Sequence, residues 1–410
     1  MALYQSAGDH TGEQAAAPPA AAPPERIARP YLHQMDLFRV VTFACVVGSH
    51  VVAGTTAPPN VTANAALLLL HYTRLGFFSV TGFLLVYQYA HRPFTAGQFW
   101  RRRFGAVGIP YLAWSVLYWA FSLVLEWVHQ LPGGETPRGA LWRLVCELVA
   151  GTGWYQLYFL LVTLQVYLLF PALARLLRAT VGRHRWVLAG SGALHLVCMW
   201  VLMHPPMMSG TTANIWGHVV SMILPYQFYT VLGALAAWHI DTIRAVVDRY
   251  GAALIALAVA GVAFAEWEYL RALHHGLPPW DGTNVFQPHL TITYIAIIVG
   301  LYALGTAWAR VQHEHRVFGS VVRYGADRSF GVFLTHPFVL QLLAPWVVPT
   351  VHAFGQFWGT TVLYLAVLAG SLLMTEVIRR LPVSKWLTGK PKAHTDFSAL
   401  RPRPAVDPHK

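Results

Sequence analysis

Ten apolar runs constrain this chain more than any other feature. They lie at about 36–54, 65–89, 104–127, 155–174, 186–203, 217–239, 251–270, 289–309, 329–348 and 357–379. Each is near the ~20 residues an α-helix needs to cross a bilayer, and a helix satisfies its own backbone hydrogen bonds where no water can. The expected fold is all-α: a polytopic membrane protein with about ten transmembrane helices. Composition agrees, because only 11% of the 410 residues are charged and 56% are hydrophobic, against ~25% charged in soluble globular proteins. A string of soluble domains is excluded. Cys45, Cys146 and Cys198 are widely spaced and odd in number, which indicates neither a disulfide framework nor a cysteine metal site.

The net charge of +12 would suggest nucleic acid in a soluble protein, but its placement gives another cause. With the N-terminus inside, 24 of the 29 Lys and Arg residues fall in the inner loops and tails, and only Arg138, Arg143 and Arg271 fall outside. That asymmetry predicts both termini in the cytosol and a location in the plasma (inner) membrane, with the bilayer and not a nucleic acid as the partner of the charge. Residues 1–30 are Ala/Pro-rich and read as a disordered tail. Residues 31–384 form the membrane domain, and 385–410 a basic, Pro-rich cytosolic tail suited to anionic lipid. The long outer loops, 128–153 and 271–288, have room for short helices that cap a cavity.

Ionisable side chains inside the spans are costly and mark functional positions. Arg39 and His50 share the first helix. Eleven residues at ~100° each leave them within ~20° of one face and ~16 Å apart along the axis. A histidine near neutral pKa can take a proton from a hydroxyl; Arg39 orients a neighbour or binds an anion, with Asp36 a nearby partner. The second helix carries His71 and Arg74, then Gly76, Ser79 and Gly82, whose small side chains allow close helix approach. Arg101, Arg102 and Arg103 beside a helix start serve as inner-face anchors or as a phosphate site for a nucleotide-bearing cofactor. His336 either lines the cavity of His50 or, with Thr335, satisfies backbone groups freed by Pro337. Glu376 has Arg379 and Arg380 at i+3 and i+4, the spacing of a local ion pair. No HExxH, CxxC or phosphate-cradling glycine loop is present, so no metal is expected.

Five stretches in order carry a resemblance: Arg-x10-His in the first helix, FFSVTGF in the second, the basic run ending in IPYLAWS, WYQLYFLLVTLQVYLLFP in the fourth and SFGVFLTHPFVL in the ninth. Over about residues 32–380 the chain resembles the acyltransferase-3 family of integral membrane O-acyltransferases. It has Thr81 where members often have Ser, and lacks an arginine found in some near Val107. The resemblance implies transfer of an acyl group, acetyl by preference, from acyl-CoA to a hydroxyl-bearing glycan, lipid or small molecule. It implies His50 as the essential histidine, Arg39 as its companion, Arg102 and Arg103 in the basic motif serving the donor, and Trp154 and Tyr155 as acceptor contacts. The competing expectation is a transporter or flippase in which His50, Arg74 and His336 line a substrate path.

Overall fold

A computed structural model describes residues 30–90, 92–129 and 136–393. Most of the N-terminal tail, residues 130–135 of the long loop expected at 128–153 and residues 394–410 of the basic tail lie outside the described residues. Among the described residues the regular structure is helical throughout: α1 (Gln34–Thr55), α2 (Val61–Leu70), α3 (Tyr72–Tyr89), α4 (Ala96–Val128), α5 (Pro137–Ala150), α6 (Leu157–Ala179), α7 (His184–Met203), α8 (Gly210–Gly217), α9 (Gln227–Trp238), α10 (Ile240–His274), α11 (Leu290–Val311), α12 (Arg316–Leu342), α13 (Ala344–Arg380) and α14 (Ser384–Thr388), with three short 3-10 turns.

Local chemistry sets many of the boundaries. The Asn60 side chain accepts from the Ala63 N–H at 2.9 Å to start α2, and Thr136 with Pro137 in the first turn starts α5, both strong helix openings. Gly151, at φ +73°, closes α5 in the left-handed conformation that glycine adopts at least cost.

Among the described residues, eight helical stretches are long and apolar enough to cross a membrane: Gln34–Thr55, Val61–Tyr89, Ala96–Val128, Leu157–Ala179, His184–Met203, Ile240–His274, Leu290–Val311 and Ala344–Arg380. They correspond to eight of the ten apolar runs. The protein is an all-α integral membrane protein. The remaining two runs take other forms. The sixth is broken into α8, two 3-10 turns and the twelve-residue α9. Its freed backbone groups are taken up by Gln165 of α6, whose amide donates to Ser221 O at 2.7 Å and accepts from Ile223 N at 2.9 Å. Irregular backbone at membrane depth needs this kind of internal partner. The ninth run crosses from α12 into α13, and the gap before the tenth becomes a kink at Gly355, φ +76°.

Small residues draw α3 and α9 together, as Ser79 and Gly82 led us to expect. A Cβ on Gly82 would stand 2.1 Å from Thr230 O, and one on Gly233 only 1.8 Å from Ser79 O, so the two backbones touch. The largest buried side chains are aromatic, and several keep their polar tips bonded: Tyr118 donates to Leu334 O at 2.8 Å and Tyr294 to Leu68 O at 3.2 Å, as buried phenols usually do.

Among the described residues, the start of the expected solvated tail, up to residue 393, is folded against the helices. Ser384–Thr388 fold into α14, which is pinned by the Trp114 indole N–H donating to Leu387 O at 2.9 Å and by Ala393 N donating to Arg379 O at 2.7 Å. The physical reason is a hook of buried polar groups: Ser384 is buried and its hydroxyl donates to Lys390 O at 3.0 Å.

Candidate active site

Four helical segments line a common axis, and each contributes residues at three levels. α1 runs from Arg39 through Phe43 to His50. α12 runs the same way, from Asp327 through Phe333 to His336. α3 and α6 run opposite, from Gln88 back through Phe77 to Arg74, and from Tyr167 back through Phe159 to Tyr155, which lies just before α6. At 1.5 Å per residue, Phe43 lies ~6 Å beyond Arg39 and His50 a further ~10 Å on.

The first level is a cavity of about 300 Å³. Its polar lining includes Arg39, Gln88, Arg103, Tyr167, Asp327 and Lys390. Arg103 donates to the Gln88 amide oxygen at 2.5 Å, and its guanidinium lies against the rings of Tyr89, Tyr167 and Phe99 at 5.3, 5.8 and 5.9 Å. Lys390 Nζ donates to Asp327 O at 2.7 Å and to the Asp327 carboxylate. Arg39 is half-buried and forms no ion pair among the described residues; it shares the cavity lining with Tyr167 and Lys390. Asp36, the partner considered for it, does not pair with it. The cavity therefore has three cations and one carboxylate, the lining of an anion site.

The second level is a closed collar of phenylalanines. Ring centroids run Phe43–Phe77 6.1 Å, Phe77–Phe159 4.3 Å, Phe159–Phe333 5.3 Å and Phe333–Phe43 5.8 Å, three of the four within the usual spacing of favourable aromatic pairs and the Phe77–Phe159 pair slightly closer. All four also line the cavity, so they form its floor.

Beyond the collar lies His50, half-buried. Its ring stacks on His336 at 5.3 Å and meets Tyr155 at 4.5 Å. His336 is fully buried, and its Nδ1 lies 3.2 Å from Val332 O. A carbonyl can only accept, so Nδ1 carries the proton and Nε2 keeps its lone pair. That Nε2 is buried and has no partner. Arg74 and His71 lie within electrostatic reach of His50. Arg74 has the phenols of Tyr158, Tyr226 and Tyr294 within electrostatic reach and pairs with no carboxylate among the described residues. Two of those phenols donate elsewhere, Tyr226 to Val220 O and Tyr294 to Leu68 O, which leaves their oxygen lone pairs for the cation. His71 sits at the joint of α2 and α3 and donates from Nδ1 to Thr283 O at 2.9 Å, so the long loop at 271–288 packs over this level.

The structure thus brings His336 and Tyr155 against His50, with His71 and Arg74 within electrostatic reach of it, and puts Arg39 at the other end of the same axis. Trp154 stands one step back, stacked on Tyr118 at 4.9 Å and 6.3 Å from Tyr155. The arginine triplet is split: Arg103 faces the cavity, while Arg101 and Arg102 are exposed and do not line it. Glu376 pairs with Arg380 at 3.2 Å but also with Arg328 at 3.1 Å, while Arg379 reaches Asp327 instead. Sequence reasoning missed Lys390 and the collar. A basic tail conceals a single cavity lysine, and phenylalanines in four membrane helices look like packing until the helices are brought together. Among the described residues no three His, Cys, Asp or Glu side chains form a metal-holding group.

Comparison with curated proteins and with solved structures returns no match. The family model described as an acyltransferase domain, acyltransferase-3, matches residues 32–376, from just before Arg39 to Glu376 and across all three levels of the site. With most of its length matched in this way, the chain belongs to the acyltransferase-3 family and is a membrane acyltransferase.

Proposed function

We propose that this acyltransferase takes an acyl group, acetyl by preference, from acyl-CoA and passes it to a hydroxyl of a glycan, lipid or secondary metabolite, with His50 as general base. The observation that carries the reading is the three-level register: a cationic cavity, a phenylalanine collar and a histidine cluster on one axis. The inward excess of Lys and Arg supports a cytosolic position for both termini, for the Arg39 end and hence for the donor.

In this reaction the donor's phosphates lie against Arg39 and Arg103, whose planar forks suit phosphate oxygens, and the pantetheine arm follows the cavity to the collar. The ~16 Å between Arg39 and His50 is a span that such an arm can cover. His50 removes the proton of the acceptor hydroxyl as its oxygen attacks the thioester carbonyl. The tetrahedral intermediate then collapses, the C–S bond breaks, and the proton held on His50 passes to the departing CoA sulfur. The Arg74 cation supplies fixed positive charge beside the developing oxyanion, where a site poor in water makes it most effective. A narrow aromatic collar favours a small acyl group.

The test is acetyl-CoA consumption by the detergent-purified protein with a panel of hydroxyl acceptors, read as free thiol, beside the His50→Ala variant. Acceptor-dependent thiol release that the variant lacks is expected. Equal release by both variants would sink the mechanism, and failure of the wild type to bind CoA would favour transport without acyl transfer.

A further inference from the structure

The donor cavity is completed by a segment that lies beyond the family match, which ends at residue 376. Thr388, Gly389 and Lys390 form part of its wall. Gly389 has φ +66°, and a Cβ there would stand 2.2 Å from Ala106 O. The hook is therefore seated backbone to backbone on α4, three residues from Arg103. Its position is held by the Trp114 bond to Leu387 O, so the ammonium of Lys390 is placed by structure and not by chance sampling of a tail.

The surroundings of that ammonium are short of negative charge. The Asp327 carboxylate is shared among Lys390, Arg328 and Arg379. Arg379 is largely buried, with its side chain 11% exposed, yet its Nε and Nη1 have no partner; Arg103 Nε is in the same state. Arg39 and Arg103 on the same cavity have no carboxylate at all among the described residues. Buried guanidinium N–H groups without acceptors are costly; Arg103 lines the cavity and Arg379 does not, so an anion in the cavity answers the shortage at Arg103. The Lys390 side chain is still 40% exposed, so a ligand can reach it while Asp327 holds it.

We propose that Thr388, Gly389 and Lys390 of the hook are a working wall of the donor site and that Lys390 binds a donor phosphate, with Asp327 holding the ammonium in place until the donor arrives. This rests on the reading of the cavity as the acyl-CoA site. Arg39 and Arg103 grip phosphate oxygens as forks, and Lys390 adds a mobile point charge. On binding, the ammonium exchanges part of its contact with Asp327 for the phosphate. The consequence is that removing Lys390 and removing its carboxylate partner act in opposite directions.

The experiment is CoA titration by calorimetry on the full chain in detergent, with thermal stability recorded for each variant. Lys390→Gln is expected to weaken CoA binding about tenfold, the scale of one charge-assisted contact, and to raise KM for acetyl-CoA with little change in kcat. Lys390→Arg restores binding. Lys385→Gln, the same charge change on the exposed side of the same hook, leaves it unaltered. Asp327→Asn binds CoA as well as or better than the wild type. Equal affinity for Lys390→Gln and wild type would overturn the proposal. So would parallel loss of affinity and stability in Lys390→Gln and Asp327→Asn, which would make the pair a purely structural tie. Failure of the wild type to bind CoA is a separate outcome that overturns the donor reading itself, and this proposal with it.

Discussion

Truncating Phe77 to alanine should change which acyl groups the enzyme accepts. Phe77 is the least buried member of the collar: it is half-buried, while Phe43, Phe159 and Phe333 are 8%, 7% and 3% exposed. Its removal therefore costs less than the ~3–5 kcal/mol typical of deleting a fully buried phenylalanine. It also breaks two sides of the closed ring, the contacts at 6.1 Å to Phe43 and 4.3 Å to Phe159. The space left by the ring admits a longer chain. Pentanoyl exceeds acetyl by three methylenes, and at ~0.8 kcal/mol for each one newly buried the gain is about 2.4 kcal/mol, or roughly 50-fold in relative kcat/KM. The assay is thiol release from acetyl-, butyryl- and pentanoyl-CoA by wild type and Phe77→Ala, with CoA affinity measured on both. The preference for acetyl should fall by one to two orders of magnitude while CoA affinity holds. An unchanged acetyl-to-pentanoyl ratio in a folded variant would show that the acyl group does not pass the collar.

Other consequences follow from the packing and charges. Gly233→Ala forces a Cβ to within 1.8 Å of Ser79 O, and the overpacking should cost ~1–3 kcal/mol or more, read as a lower Tm in detergent; Gly190→Ala in α7, with no heavy atom within 4 Å, should leave Tm unchanged or raise it. His336→Phe keeps a ring against His50 but removes the unpartnered Nε2, so kcat should fall about tenfold or more with KM for acetyl-CoA little changed; turnover at saturating donor checks this. Burial pulls the Lys390 ammonium below the usual lysine range, with Asp327 pulling it back up. The charge is therefore lost at a lower pH than the ~10.4 of an exposed lysine. CoA affinity should fall as pH rises into that region, and it should not fall in Lys390→Arg, whose guanidinium keeps its proton.

Much of the fold was legible because the bilayer imposes lengths. Eight of ten apolar runs became long apolar helices, and the face shared by Arg39 and His50 survived because helical periodicity is local. The sixth run was misread because its apolarity hides the turns around Ser221 and Pro225; Gln165, far away in the chain, is what satisfies them. Arg103 could not be separated from Arg101 and Arg102 by type or position, since successive helical residues differ only in the direction they point, and the direction that matters is set by Gln88 on another helix. The collar was illegible for the same reason. Phe43, Phe77, Phe159 and Phe333 sit at unrelated offsets from the polar residues near them, and only the antiparallel register of α1 and α12 against α3 and α6 puts them at one depth. Lys390 depended on a tertiary event, the docking of α14 on Trp114, which no composition of the tail announces.

The claim that donor capture and proton abstraction are divided between the two ends of one axis is tested most directly by measuring CoA affinity and acetyl transfer together on Arg103→Ala and His50→Ala. Arg103→Ala should weaken CoA binding about tenfold, the cost of a lost charge-assisted contact, with kcat nearly unchanged at saturating acetyl-CoA. His50→Ala should bind CoA like the wild type while kcat drops by about 100-fold or more, the scale of general-base catalysis. If His50→Ala turns over as the wild type does, or loses CoA binding in step with activity, the division does not exist.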